Sequence, residues 1–345
     1  MGKTADEFRR PARGPFPCAG QRGTLPGIGG CHCGPIPGQK TGSGGGHRRR
    51  QRDGRGQSDF RHAAERCVGK QYLEGLPGAR AHDGVKTPFI AVPTTAGTGS
   101  EATQNAVLSQ VGEGGFKRSL RHDNLVPDET IVDPELAVSC PPGVTAACGM
   151  DAFVQLLESY VSPKSGLLTD ALAMSGMAEV RDSLMPVFAD GGNMRARAGM
   201  AYAALLSGIT LAHAGLGVVH GFASALGGFF DIPHGVICGT LIGAATRINI
   251  EELRKQRSHS PALEKYAWVG ALMARHEDGS GNADAHLDYL VQKLENWIAS
   301  LEIPRLGKFG VTPGDVDRII GQTGIKNNPV ALDTHRMREI FVSRI

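Results

Sequence analysis

Apolar positions are unevenly placed along the 345-residue chain. Residues 1–56 are rich in Gly, Arg and Pro and almost empty of Val, Ile and Leu, with neither the alternation of a strand nor the spacing of an amphipathic helix. Such a stretch cannot bury a core, so a low-complexity, disordered segment is expected there. An α/β segment is then read over 57–138, in which Val92-Pro93-Thr94-Thr95 is the end of a strand and Ala96-Gly97-Thr98-Gly99-Ser100 the loop that follows it. From residue 139 onward the apolar positions recur at helical spacing. Helices are predicted over 142–161, 168–188, 194–214, 218–230, 235–248, 261–275, 283–300 and 313–323, with a short amphipathic one over 336–345. Pro304 and Gly307 interrupt the late ones. The fold class is thus α/β followed by all-α, with no internal repeat.

Candidate chemistry sits in the helical part. Asp151 and Gln155 are four apart on the helix that begins after Pro141-Pro142, so their side chains share one face. His220 lies in an Ala/Gly/Leu-rich helical stretch over 209–230, apolar on most sides, which points its ring inward. His234 follows Asp231-Ile232-Pro233, where Asp231 can cap and Pro233 can open the next helix, placing the second imidazole at that helix's mouth. A lone histidine in an apolar helix is more often a hydrogen-bonded core residue than a ligand. The combination with a buried Asp151, which needs a cation or several donors to stay ionised, points instead to a site for Zn²⁺ or Fe²⁺. Gln155 is either a weak amide ligand or a hydrogen-bonding support for one.

Three groups of residues carry a resemblance. They are Thr87-Pro88-Phe89-Ile90-Ala91-Val92-Pro93-Thr94-Thr95-Ala96-Gly97-Thr98-Gly99-Ser100-Glu101-Ala102-Thr103, then Asp133-Pro134-Glu135-Leu136, then Gly149-Met150-Asp151 with His220, His234 and Lys326-Asn327-Asn328-Pro329. From Tyr72 to the C-terminus the chain resembles the iron-containing (group III) alcohol dehydrogenases. The resemblance implies a Rossmann-like nucleotide-binding part, incomplete at its start, followed by a helical metal- and substrate-binding domain of dehydroquinate synthase-like fold over 139–345. It implies a divalent metal, Fe²⁺ or Zn²⁺, held by an Asp and His residues beside NAD or NADP, and a small-molecule alcohol, aldehyde or ketone as substrate. Carried over by position, Asp151, His220 and His234 match ligands, and Gln155 stands where a further His is usual. Ser224 stands where many members have a His associated with proton transfer, and a hydroxyl cannot titrate near neutral pH. Thr94, Thr95 and Thr98 match cofactor contacts, with Lys117 and Leu136 as weaker candidates. A homo-oligomer, as a dimer, is expected.

The family's pyrophosphate-binding Gly-Gly-Gly-Ser-x-x-Asp turn has a partial counterpart in Gly44-Gly45-Gly46, followed here by His47-Arg48-Arg49-Arg50. A reading frame shifted by one base converts codons CAT-CGG-CGT-CGA, followed by the C of Gln51, into Ile-Gly-Val-Asp, which restores the acidic position. The other reading is a basic arm over 48–55, attracting phosphates without orienting them. Alongside a metal-dependent dehydrogenase stand two alternatives, a metal-independent reductase like the maleylacetate reductases and a chain inactive through its altered cofactor site.

Whole-chain numbers change this picture little. The 41% apolar content supports substantial cores, and the length fits about two domains. The net charge of +3 owes much to residues 48–55 and, with no aromatics interleaved, indicates no nucleic-acid partner. No run approaches the roughly 18–20 apolar residues of a membrane span, and no apolar signal core opens the chain, so no membrane association and a cytoplasmic location are expected. The 7 cysteines include Cys31-x-Cys33 but no second pair at zinc-finger spacing, and are read as thiols without assigned roles.

Overall fold

The computed structural model describes residues 69–256, 260–275, 281–325 and 327–345. The segment 1–56, with Gly44, Gly45, Gly46 and the basic run, lies outside the described residues.

The α/β part is small. Strands β1 (Ile90–Ala91) and β4 (Glu129–Thr130) pair in parallel, Ile90 opposite Glu129. Strands β2 (Asn105–Gln110) and β3 (Phe116–Arg121) form an antiparallel hairpin running from Asn105 opposite Arg121 to Gln110 opposite Phe116. Tyr72, Leu73, Ala106, Leu120 and Leu125 form its buried cluster. The strand expected to end at Thr94-Thr95 ends at Ala91. Pro93 has no N–H to give a ladder, and the pairing is prolonged instead by the Ile131 amide donating to the Ala91 carbonyl at 2.9 Å. Ile90 (55% exposed), Ile131 (52%) and Leu136 (41%) are exposed apolar residues along this part.

Nine α-helices follow among the described residues: α1 (Pro142–Val161), α2 (Leu167–Ala189), α3 (Met194–Ala214), α4 (Val218–Phe229), α5 (His234–Arg254), α6 (Pro261–Ala274), α7 (Ala283–Ser300), α8 (Val316–Gln322) and α9 (Thr334–Val342). Helix α1 starts on Pro142, where a missing N–H costs nothing, and is buried almost without break from Thr145 to Val161. A helix apolar on all sides must be surrounded, and α1 packs on α2, α3, α5 and α6. Several starts are capped by side chains, with Asn193, Asn282 and Asp333 accepting from the amides of Ala196, Asp284 and Arg336.

The helical predictions differ from the structure at identifiable places. The stretch 209–230 breaks at Gly215, whose φ of 71° a residue with a side chain rarely adopts. Asp231 does not cap α5: Pro233 occupies the cap position, no side chain accepts there, and His234 is the first helical residue. Helix α5 continues past Ile248 to Arg254, its last turns burying Ile250 and Leu253 in the core while the half-exposed Arg247 pairs with Glu251 at 2.7 Å. The stretch 313–323 opens as a 3₁₀ turn, Pro313–Asp315, before α8. Taken singly, no helix among the described residues is long and apolar enough to cross a membrane; α3 and α4 pass that test only together, across a 98° bend.

Backbones meet at two glycines that set the site. A Cβ on Gly235 would overlap the Ala147 carbonyl, so α5 starts directly against α1. A Cβ on Gly228 would press on the Phe116 backbone, and the Gly112 amide donates to the Gly228 carbonyl at 3.1 Å, docking the β2–β3 hairpin on the end of α4. Gly235→Ala is expected to destabilise the protein by about 1–3 kcal/mol through overpacking against backbone that cannot rotate away, read from the midpoint of urea unfolding. An unchanged midpoint would show that α1 and α5 can separate freely.

Candidate metal centre

Asp151 lies mid-way along α1 with its side chain 2% exposed. Its Oδ1 has no hydrogen-bond partner, while His220 Nε2 stands 3.4 Å and His234 Nε2 3.6 Å away. Cys238, one turn after His234 on α5, brings its Sγ to 3.7 Å from His220 Nε2 and 3.8 Å from His234 Nε2. One ligand atom from each of Asp151, His220, His234 and Cys238 lies within 4.8 Å of the others. The two imidazole rings cross edge to face with centroids 5.4 Å apart.

The neighbours of the histidines set their tautomers. His220 Nδ1 is 2.7 Å from Glu158 Oε2. A carboxylate only accepts, so Nδ1 carries a proton and Nε2 is left to face Asp151. The other oxygen of Glu158 accepts the Val219 amide at 2.7 Å, fixing this carboxylate at the first turn of α4. His234 Nδ1 is 3.1 Å from Lys117 Nζ on β3. Burial of the Lys117 ammonium lowers its pKa, outweighing the pull of Cys238 and Asp151. A neutral amine accepts from Nδ1–H and leaves the Nε2 lone pair facing the centre, whereas an ammonium forces the proton onto Nε2.

Electrostatics follow the same geometry. Burial alone would raise the Asp151 pKa, but the two imidazoles and the Cys238 thiol override it and hold the carboxyl down at about 2. For His220, burial disfavours the charged form, yet Cys238, Asp151 and Glu158 together carry its pKa well above the ordinary value. Burial pushes the Cys238 thiol up to about 12. A buried carboxylate oxygen without a donor, ringed by two imidazole nitrogens and a sulfur, is a donor set that fits a divalent cation.

The other sequence candidates fall elsewhere. Gln155 is buried one turn beyond Asp151, and its Oε1 lies 2.8 Å from Ser207 Oγ, which is also 2.8 Å from the Ala204 carbonyl and 3.3 Å from that of Gly97. The single Ser207 proton serves one of these acceptors at a time. Ser224 is exposed, its hydroxyl donating to the His220 carbonyl at 2.9 Å. Thr98 Oγ1 meets Ser100 Oγ at 2.8 Å, and the Thr94 carbonyl accepts from Cys140 Sγ at 3.3 Å. The loop carrying Thr94, Thr95 and Thr98 is pressed on the helices where Gly97 touches Cys148 and Gly99 meets Gly208, backbone to backbone. Leu136, in the 3₁₀ turn Pro134–Ala137, is exposed. Glu158 and Cys238 were not predicted, although spacing carried a signal for both: Glu158 is two helical turns from Asp151, and Cys238 is four residues from His234.

Two family models match the chain, iron-containing alcohol dehydrogenase over residues 62–134 and the C-terminal part of the Fe-containing alcohol dehydrogenase family over 145–345. The chain belongs to the iron-containing alcohol dehydrogenase family. It is 35% identical to a 1,3-propanediol dehydrogenase of Citrobacter freundii over 229 residues, 66% of this chain and 56% of that one. Among solved structures it resembles a 1,3-propanediol oxidoreductase (TM-score 0.73, 29% identity, 85% of this chain and 74% of that one). It also resembles a sulfoacetaldehyde reductase from Bifidobacterium kashiwanohense in complex with NAD⁺ (TM-score 0.69, 25% identity, 84% and 72%). The chain spans about half the length of the curated relatives it matches, from 43% to 56% for the first of them.

Removing the Ser207 hydroxyl takes away the one proton shared among Gln155 Oε1 and the Ala204 and Gly97 carbonyls. Ser207→Ala should therefore cost about 1–3 kcal/mol, measured by denaturant unfolding. A cost near zero would show that water reaches Gln155.

Proposed function

We propose that the chain is an oxidoreductase that interconverts an alcohol with its aldehyde or ketone, using NAD or NADP and a divalent metal held by Asp151, His220 and His234. The observation that carries this reading is the buried Asp151 Oδ1, without a hydrogen-bond donor and faced by two imidazole nitrogens. Fe²⁺ or Zn²⁺ at these donors supplies Lewis acidity toward the alcohol or carbonyl oxygen, while the nicotinamide exchanges the hydride.

The chain's own residues do the positioning. Glu158 keeps His220 Nε2 turned to the centre, and Lys117 orients His234 from the opposite side. Thr94, Thr95 and Thr98 serve the cofactor from the loop pressed against α1 and α3, and Lys117 and Leu136 are weaker candidates for further contacts with it. Residues 57–138 form the nucleotide-binding part, and 139–345 the metal- and substrate-binding part. Ser224 is a poor proton relay, because its hydroxyl is engaged by the carbonyl one turn back. Short alcohols and their carbonyl forms are supported as substrates by the propanediol dehydrogenase relative, and NAD by the reductase solved with NAD⁺. A cytoplasmic homodimer completes the reading.

The full chain, loaded with Fe²⁺ or Zn²⁺ and desalted, should retain stoichiometric metal by elemental analysis and oxidise NADH with a short aldehyde. His220→Ala should lose the metal, and retention by that variant would overturn the ligand assignment. Glu158→Gln should keep the fold and weaken metal binding about 10–100-fold, as expected for loss of the group that orients a ligating imidazole; isothermal titration reads the change. Affinity equal to that of the unaltered chain would remove Glu158 from the site.

A further inference from the structure

We propose that Cys238 is a fourth protein donor to the metal, in place of Gln155, so that the centre is an Asp/His/His/Cys site selective for Zn²⁺. The inference rests on the metal-centre reading above and adds a ligand to it. Position 238 lies one turn along α5 from His234 and therefore on the same face. Its side chain is fully buried, with Sγ 3.7 and 3.8 Å from the two imidazole Nε2 atoms. Tetrahedral zinc, with bonds of about 2.0–2.3 Å to oxygen, nitrogen and sulfur, places its donors about 3.3–3.6 Å from one another. The separations of 3.4, 3.6, 3.7 and 3.8 Å from Asp151 Oδ1 to the imidazoles and from the imidazoles to Sγ lie at or slightly above that spacing.

The carboxylate that carries the metal-centre reading points into the same space. The Asp151 carboxylate is 98% buried by its side-chain exposure of 2%, and Oδ1 has no hydrogen-bond donor. A buried cysteine ordinarily serves as a small apolar filler. Filler would face methyl groups, whereas this sulfur faces two ring nitrogens beside an unsatisfied carboxylate. Gln155, the sequence's own candidate for the position, has its amide oxygen at the Ser207 hydroxyl.

The chemistry has two consequences. A thiolate is a softer donor than an amide oxygen or an imidazole, and moves preference toward Zn²⁺ and away from Fe²⁺. Four protein donors would leave the substrate oxygen of the proposed reaction only a fifth position, which zinc supplies by expanding beyond four-coordination. On metal uptake the thiol proton passes to solvent as the sulfur–metal bond forms, and no electrons change hands.

Cobalt provides a test independent of turnover. Metal-free full-length chain titrated with Co²⁺ should bind one equivalent, with intense visible bands of a tetrahedral ion and a sulfur-to-cobalt charge-transfer band in the near ultraviolet. Cys238→Ser should lose the charge-transfer band and bind more weakly than the roughly 10–100-fold loss caused by outer-shell changes, while Gln155→Ala should keep the band. Should Cys238→Ser fail to fold, Cys238→Ala offers a second variant with high helix propensity. Cobalt bound to the unaltered chain without the charge-transfer band would overturn the Cys238 assignment and leave the Asp151/His220/His234 centre standing. A charge-transfer band that persists in Cys238→Ala would overturn it in the same way. Failure of the unaltered chain to bind cobalt at all would overturn both readings.

Discussion

One carboxylate governs the helical half of this protein. Asp151 sits in the middle of a helix that is buried from Thr145 to Val161, and withdrawing an ionised carboxylate from water costs several kcal/mol unless compensating charge is supplied. The compensation comes from other helices. His220 arrives from α4 and is held between two carboxylates, Asp151 at Nε2 and Glu158 at Nδ1, while His234 arrives as the first residue of α5. A metal ligand must turn a neutral nitrogen to the ion, so a divalent cation at this centre would take the place of the positive charge that the neighbours of His220 otherwise draw onto its ring. Lys117, whose burial opposes its charged form, is a poor substitute.

Close backbone contacts make that convergence possible. Gly235 against Ala147 fixes the start of α5 beside the turn of α1 that precedes Asp151, and Gly228 against Phe116 brings Lys117 to within reach of His234. Gly99 and Gly208 do the same for the threonine loop, which is tied through Ser207 to the helix turn bearing Gln155. The loop proposed for the cofactor and the helices proposed for the metal are thus joined by contacts with little room to slide.

The long helices were legible because their apolar periodicity is strong, and α1, α3 and α7 begin and end at the predicted residues. Errors gathered where a side chain rather than a period decides the outcome. The last turns of α5 bury Ile250 and Leu253 between the polar Asn249, Glu251 and Glu252, a mixture that does not read as a continuing apolar face. Asp231 has the chemistry of a cap, yet lies too early in a chain that turns into the helix at Pro233. The convergence of Asp151, His220 and His234 could be read from residue types in apolar surroundings. Glu158 and Cys238 stand at helical spacing from Asp151 and His234, but an acid or a thiol on a helix has many ordinary reasons to be there, and tertiary structure selects among them. Gln155 illustrates the converse: it shares a helical face with Asp151, but its nearest polar neighbour, Ser207, comes from a helix that the local pattern says nothing about.

The order in which the chain supplies Asp151, His220 and His234 has a topological consequence. Asp151 belongs to the first helix, whereas the two histidines belong to the fourth and fifth, so the whole of α2 and α3 intervenes. An ion bridging these groups closes a long loop. The entropy of loop closure grows only slowly with length, roughly as the logarithm, so the span itself adds little to the cost. No local fragment of the chain can assemble these three donors. Any ion that recognises them therefore discriminates the native arrangement from its unfolded ensemble, and raises the stability of the closed helical array in proportion to the logarithm of its concentration over its dissociation constant.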